Sequence, residues 1–186
     1  MNIVSIIFIA FGLAMDAFAV SIFSGLTIKN LKIKHAFKIA LFFGLFQAFM
    51  PIIGWLSGVS LKNYISGIDH WIAFTILFVI GIKMIYESFK IKPDDKKINP
   101  LAVYTLLILS VATSIDALAV GLSFAFLKIS IITPVIVIGV ITFLLSFIGV
   151  LIGDKGGHFF ENRIEIAGGI ILIGIGTKIL LEHLLR

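Results

Sequence analysis

The chain alternates between short charged stretches and long apolar runs, several of which exceed the roughly 18–20 residues that a helix needs to cross a bilayer. Ile39–Leu61 and Ile129–Gly153 contain no Asp, Glu, Lys or Arg, and Ile3–Ile28 and Leu101–Leu127 contain one each, Asp16 and Asp116. Two further runs, Trp71–Phe89 and Ile166–Leu184, carry charges only in their last turns: Lys83 with Glu87, and Lys178 with Glu182. A chain of 186 residues could not bury all of this in water. The runs lack the period-two alternation of a membrane barrel strand. The expected fold is therefore all-α, a polytopic membrane protein of six transmembrane helices.

Composition narrows the function. Charged residues make up 13% of the chain, about half the share usual in a soluble domain, and the mean hydropathy is +1.17. With no cysteine there is no disulfide framework, thiolate zinc site or catalytic thiol. The net charge of +5 does not call for a nucleic acid. Its lysines gather in loops between apolar runs, where they meet anionic headgroups and set topology. Ile3–Ile28 has no basic segment before it and is too long for a cleaved secretory signal, so it is expected to be a permanent span.

Basic bias sets the expected orientation. Lys29, Lys32, Lys34, Lys38, Lys90, Lys92, Lys96, Lys97, Lys155 and Arg163 fall on one side, against Lys62, Lys128 and Arg186 on the other. Both termini should then lie outside the cytoplasm. Trp55 and Trp71 flank a poorly basic loop, as an interfacial belt would. The pairs Lys83/Glu87 and Lys178/Glu182 have the i, i+4 spacing of interfacial ion pairs. His35, His70, His158 and His183 fall near loops or helix ends.

An internal repeat is legible. Met15-Asp16-Ala17-Phe18-Ala19-Val20 returns as Ile115-Asp116-Ala117-Leu118-Ala119-Val120, displaced by 100, and Gly44, Gly54 and Gly58 return as Gly139, Gly149 and Gly153, displaced by 95. Gly81, Lys83 and Glu87 match Gly176, Lys178 and Glu182 at the same displacement of 95. The expected organisation is a three-helix repeat over 1–89 (spans about 3–28, 39–61 and 71–89), a cytoplasmic linker over 90–100, and a second repeat over 101–186 (spans about 101–127, 129–153 and 166–184). Three helices per half force the second half to enter upside down. Inverted repeats of this kind hold their substrate near the midplane, between the halves.

Asp16 and Asp116 occupy equivalent mid-span positions. A carboxylate there costs about 2.5–3.5 kcal/mol on insertion scales, so an intramembrane acid points to function. Oxygen donors nearby in sequence are Ser21, Gln47, Thr113, Ser114 and Thr142, and Met15 adds a thioether. Carboxylate, amide and hydroxyl oxygens suit magnesium, calcium or manganese rather than copper(I) or zinc. Small residues follow each aspartate at helical spacing, Ala17, Ser21 and Gly25 in one half and Ala117, Gly121 and Ala125 in the other. These stripes predict close helix packing, with each aspartate-bearing helix against its counterpart in the other half.

Taken together, the stretches Ala10-Phe11-Gly12-Leu13-Ala14-Met15-Asp16-Ala17-Phe18-Ala19 and Ala112-Thr113-Ser114-Ile115-Asp116-Ala117-Leu118-Ala119-Val120-Gly121 resemble the bacterial manganese efflux pumps of the MntP type, within the lysine-exporter-like superfamily. Pro51-Ile52-Ile53-Gly54-Trp55 and Ile173-Gly174-Ile175-Gly176 extend the resemblance over essentially the whole chain. It implies six helices, manganese(II) export and essential acids at Asp16 and Asp116. Some members of the family carry glutamate where Gln47 stands, which leaves this chain one negative charge fewer. No P-loop or aspartyl-phosphate signature of a primary pump is present. The expectation is a secondary transporter, not an enzyme, that exchanges manganese(II) for protons or another cation and needs no cofactor. Its partners would be the lipid bilayer, the metal and a coupling ion. Export of another cation or of a cationic amino acid, and a non-transporting membrane adaptor, are the competing expectations. An intramembrane aspartyl protease would need Tyr-Asp and Gly-x-Gly-Asp motifs, and neither surrounds Asp16 or Asp116.

Overall fold

The structure, a computed structural model, describes residues 2–28, 30–65 and 100–155, with isolated positions at 74, 75, 78, 79, 82, 86, 173 and 177. The described chain is helical and contains no strand. Four helices are α1 (Ile3–Thr27), α2 (Ile33–Ile65), α3 (Val103–Phe126) and α4 (Ile132–Asp154). Each is long and apolar enough to cross a membrane, which makes this a multi-pass membrane protein. The expected spans at 71–89 and 166–184 lie outside the described residues apart from those isolated positions. So do Lys83, Glu87, Lys178, Glu182, His70, His158, His183 and the linker before Pro100.

Local chemistry sets the helix ends. Asn2 caps α1, its Oδ1 accepting from the Ser5 amide at 3.0 Å and from Ser5 Oγ at 2.8 Å. α2 begins at Ile33, six residues before the expected Ile39, so Lys34 and Lys38 belong to its first turns rather than to the loop. Nothing between Ile33 and Ile39 breaks a helix, and lysine stems at a helix end can snorkel to the interface. Pro134 is tolerated in the first turn of α4, where the amide has no intrahelical acceptor anyway. α3 closes with Lys128 in the left-handed region, φ 56°. There the Ile129 amide donates to Phe124 O at 2.9 Å and the Lys128 amide to Ala125 O at 3.2 Å, a Schellman stop.

α1 and α2 barely pack on each other, and neither do α3 and α4: α1 packs mainly on α4, and α2 on both α3 and α4. Glycines explain this. A Cβ on Gly25 would strike the Val150 carbonyl, and one on Gly153 the Ile22 carbonyl, which seals α1 to α4. Gly54 lies in the same way against the Leu118 carbonyl and Gly121 against that of Pro51, sealing α2 to α3. Both seams run parallel, whereas α2 and α4 cross antiparallel: a Cβ on Gly44 would meet Phe143 Cβ at 2.9 Å, and one on Gly139 would meet Ala48 Cβ at 2.9 Å. α1 therefore runs opposite to α3. The small-residue stripes do pack closely, but against the second helix of the other half rather than against each other. The expected pairing of α1 with its counterpart α3 is corrected, because the glycines that accept a backbone at close range sit on α4 and α2.

The outer faces are apolar. Ile33, Phe37, Leu41, Leu45, Phe49 and Ile53 form an exposed i, i+4 row on α2, and Ile132, Ile136, Val140, Leu144, Ile148 and Ile152 form one on α4. In water such rows would be a liability; in lipid they are the solvated surface. Two ties hold α2 to the other half near its ends. Lys38 Nζ donates to Leu101 O at 2.8 Å, and Trp55 Nε1 donates to Ile129 O at 3.1 Å. Trp55 is half-buried, so it anchors helices together as well as marking an interface.

Candidate functional site

Two apolar clusters lie on either side of the bundle's middle. One gathers Ile9, Ala10 and Leu13 of α1, Ala117, Val120 and Phe124 of α3 and Ile138 of α4, with Met50 and Trp55 of α2 packed against it. The other gathers Ala17 of α1, Ile39 and Phe43 of α2, Leu106 of α3 and Val150 of α4. On every helix, polar residues occupy the interval between the two clusters. Asp16 falls between Leu13 and Ala17, and Gln47 between Phe43 and Met50. Ser110, Thr113, Ser114 and Asp116 fall between Leu106 and Ala117, and Thr142 and Ser146 between Ile138 and Val150. All are buried except Asp16, which is half-buried. The result is a polar layer about halfway along each helix, with an apolar cluster on either side.

Six of the eight residues expected from sequence fall in this layer: Asp16, Asp116, Gln47, Thr113, Ser114 and Thr142. Met15 instead packs against the first apolar cluster, and Ser21 lies one turn beyond Ala17 with its hydroxyl donating to Ala17 O at 2.6 Å. Ser114 Oγ donates to Ser110 O at 2.6 Å and Thr113 Oγ1 to Leu109 O at 3.0 Å. These bonds use the hydroxyl protons and leave oxygen lone pairs. Gln47 reaches from α2 to α1, its Nε2 donating to Leu13 O at 2.9 Å. Among the described residues, four buried side-chain oxygens have no hydrogen-bond partner: Gln47 Oε1, Ser110 Oγ, Thr142 Oγ1 and Ser146 Oγ. Pro51 lies one turn after Gln47 inside α2 and has no N–H to offer the Gln47 main-chain carbonyl.

Ser110 and Ser146 were missed by sequence reasoning. The available signal was their spacing: Ser110 is four residues before Ser114, and Ser146 four after Thr142, so each shares a helix face with a residue already singled out. Among the described residues no three His, Cys, Asp or Glu side chains gather into a metal cluster. The layer instead offers two carboxylates and a set of neutral oxygens. That donor set suits a hard or borderline divalent cation.

A multi-pass helical membrane protein with an oxygen-lined middle is the class these features define. The profile of the family described as "Putative manganese efflux pump" matches residues 30–180. The chain is 58% identical over 186 residues to the protein of Crocosphaera subtropica bearing that name with the suffix MntP, covering 100% of this chain and 99% of the relative. The namesake in Gloeothece citriformis is 56% identical over 99% of this chain and 97% of its own. The one in Methanosarcina barkeri is 58% identical over 94% of this chain and 93% of its own. The chain belongs to this family. No solved structure matches it.

Proposed function

We propose that this chain is a secondary transporter, not an enzyme, which exports manganese(II) from the cytoplasm in exchange for protons or another cation. Its site is the midplane layer built on Asp16 and Asp116. The observation that carries this reading is that layer: two carboxylates and partnerless buried oxygens on four crossing helices, with hydrocarbon on either side. A packed core has no use for polar atoms left without partners in lipid, where each costs several kcal/mol by order of magnitude. A dehydrated cation supplies what they lack. The relatives' name, manganese efflux pump, supports manganese(II) as that cation.

The residues then divide the work. Asp16 and Asp116 supply the negative charge on which affinity for a hard cation depends, and the neutral oxygens replace part of its water shell. The apolar clusters keep water from running through. A cation can leave the layer only past one cluster or the other, and opening them in alternation is what exchange transport requires. The full architecture we propose is six spans in two inverted three-helix halves. The equivalent glycine contacts, Gly54 on Leu118 with Gly149 on Phe18 and Gly58 on Leu122 with Gly153 on Ile22, support it. The opposite directions of α1 and α3 support it too. The basic bias of the loops supports an orientation with both termini outside the cytoplasm. Because the chain has no cysteine, single cysteines at Lys32 and Lys34 should react only with reagent that reaches the cytoplasm. Labelling from outside intact cells would reverse the orientation.

The test of function is intracellular manganese in a manganese-sensitive strain expressing Asp16→Asn or Asp116→Asn at wild-type level. Each amide keeps size and hydrogen bonding while removing a charge, so folding should survive and efflux should fall nearly to background. Wild-type efflux from both variants would remove the carboxylate site from the account.

A further inference from the structure

Helical serines and threonines in lipid normally give their proton to the carbonyl one turn back, because nothing else is within reach. This chain follows the rule at Ser21, Ser24, Thr113, Ser114 and Ser123, whose hydroxyls donate to carbonyls four residues earlier at 2.6–3.1 Å. Ser110 and Ser146 break it. Both are 0% exposed and both hydroxyls lack any partner. The exceptions are not scattered along the helices. They fall in the layer between the two apolar clusters, together with the partnerless oxygens of Gln47 and Thr142. Thr142 and Ser146 are one turn apart on a single face of α4. Ser146 is the counterpart of Pro51 and Ser110 the counterpart of Ala10, so the first half has no hydroxyl at either place.

We propose that Ser146 and Ser110 are ligand-facing residues of the transport site, whose hydroxyl oxygens take part in holding the dehydrated divalent cation and set its preference for hard over soft metals. This rests on the transport reading above. It singles out two of that layer's partnerless oxygens, both contributed by the second half, and gives them a role in metal preference.

The test uses the full-length protein in liposomes, with manganese(II) and cadmium(II) presented separately and in competition, and thermal melts of each variant. Ser146→Ala and Ser110→Ala remove a buried hydroxyl that makes no hydrogen bond among the described residues, so their melting temperatures should match or exceed wild type. Their apparent KM for manganese should nonetheless rise, by about ten-fold for one lost contact to a charged group. Ser146→Cys replaces a hard oxygen with a soft sulfur and should move the cadmium-to-manganese preference toward cadmium by a similar factor. Ser146→Thr, which restores an oxygen, should recover much of the manganese KM. Alanine variants with raised stability and wild-type KM, or a cysteine variant with unchanged preference, would make these hydroxyls packing features only and overturn the proposal. Absence of manganese flux from the wild-type protein is a different result, because it fails the transport reading itself before any serine is changed.

Discussion

The glycines of the two halves do the same work, whereas the side chains facing the middle do not. Gly54 and Gly58 of α2 lie against Leu118 and Leu122 of α3, and Gly149 and Gly153 of α4 lie against Phe18 and Ile22 of α1. The same contacts recur at the displacements found in the sequence. In the polar layer, however, the first half contributes Asp16 and Gln47, while the second contributes Asp116, Thr142 and four hydroxyls, Ser110, Thr113, Ser114 and Ser146. The first-half counterparts of those four are Ala10, Leu13, Ala14 and Pro51. Backbone geometry can stay symmetric because a close crossing asks only for the absence of a Cβ. A binding site asks for particular oxygens, and the four hydroxyls are not repeated from one half of the sequence to the other. Three of the four, Ser110, Thr113 and Ser114, share α3 with the buried Asp116, whereas Asp16 is half-buried.

The largest expected effect follows from that asymmetry. Equilibrium manganese binding by purified protein should suffer more from Asp116→Asn than from Asp16→Asn, by roughly ten-fold in Kd, the value of about one good contact to a charged group. Equal losses would favour a site in which the two aspartates contribute alike.

Stability of glycine variants probes the symmetric part and should expose small departures from it. Gly54→Ala drives a methyl into the main-chain carbonyl of Leu118, which cannot move without its helix. Gly149→Ala first meets the Phe18 ring, at 2.7 Å, and a ring edge can yield. Overpacking costs about 1–3 kcal/mol, and Gly54→Ala should lie at the top of that range with Gly149→Ala below it. The order should reverse one turn on, with Gly153→Ala against the Ile22 carbonyl worse than Gly58→Ala against Ala125 Cβ at 2.6 Å. Thermal melts in detergent would check both comparisons. Identical costs within each pair would mean that the seams relax alike despite different neighbours.

The smallest effect concerns the turns after α1 and α3, where Asn30 and Lys128 adopt φ 59° and 56°. Lysine pays more than asparagine in this region, so Lys128→Gly should stabilise by about 1 kcal/mol and Asn30→Gly by less. Reversal of that order in the same melts would show that the Lys128 side chain contributes something glycine removes.

Much of this was legible in the sequence for simple reasons. Apolar runs of bilayer length with at most one charge need no tertiary information to read, and four of them became α1 to α4. Asp16, Asp116, Gln47 and Thr142 were visible because a polar residue halfway along an apolar run stands out. Helix pairing was not legible. Small residues announce that something packs closely but do not say what, and only the coordinates direct Gly25 to Val150 and Gly121 to Pro51. Ser110 and Ser146 were hidden because serine is common in membrane helices, and sequence cannot tell a hydroxyl bonded to its own helix from one left without a partner. Ser21 shows the converse: well placed by spacing, it spends its proton on Ala17.

The most direct test of the central claim is manganese(II) flux into liposomes by the purified wild-type protein, measured together with proton movement and repeated with Asp16→Asn and Asp116→Asn. The account predicts saturable manganese transport driven by an opposing ion gradient, abolished in both variants while their melting temperatures hold. Flux no faster than in protein-free liposomes, or flux that survives in both variants, would contradict it.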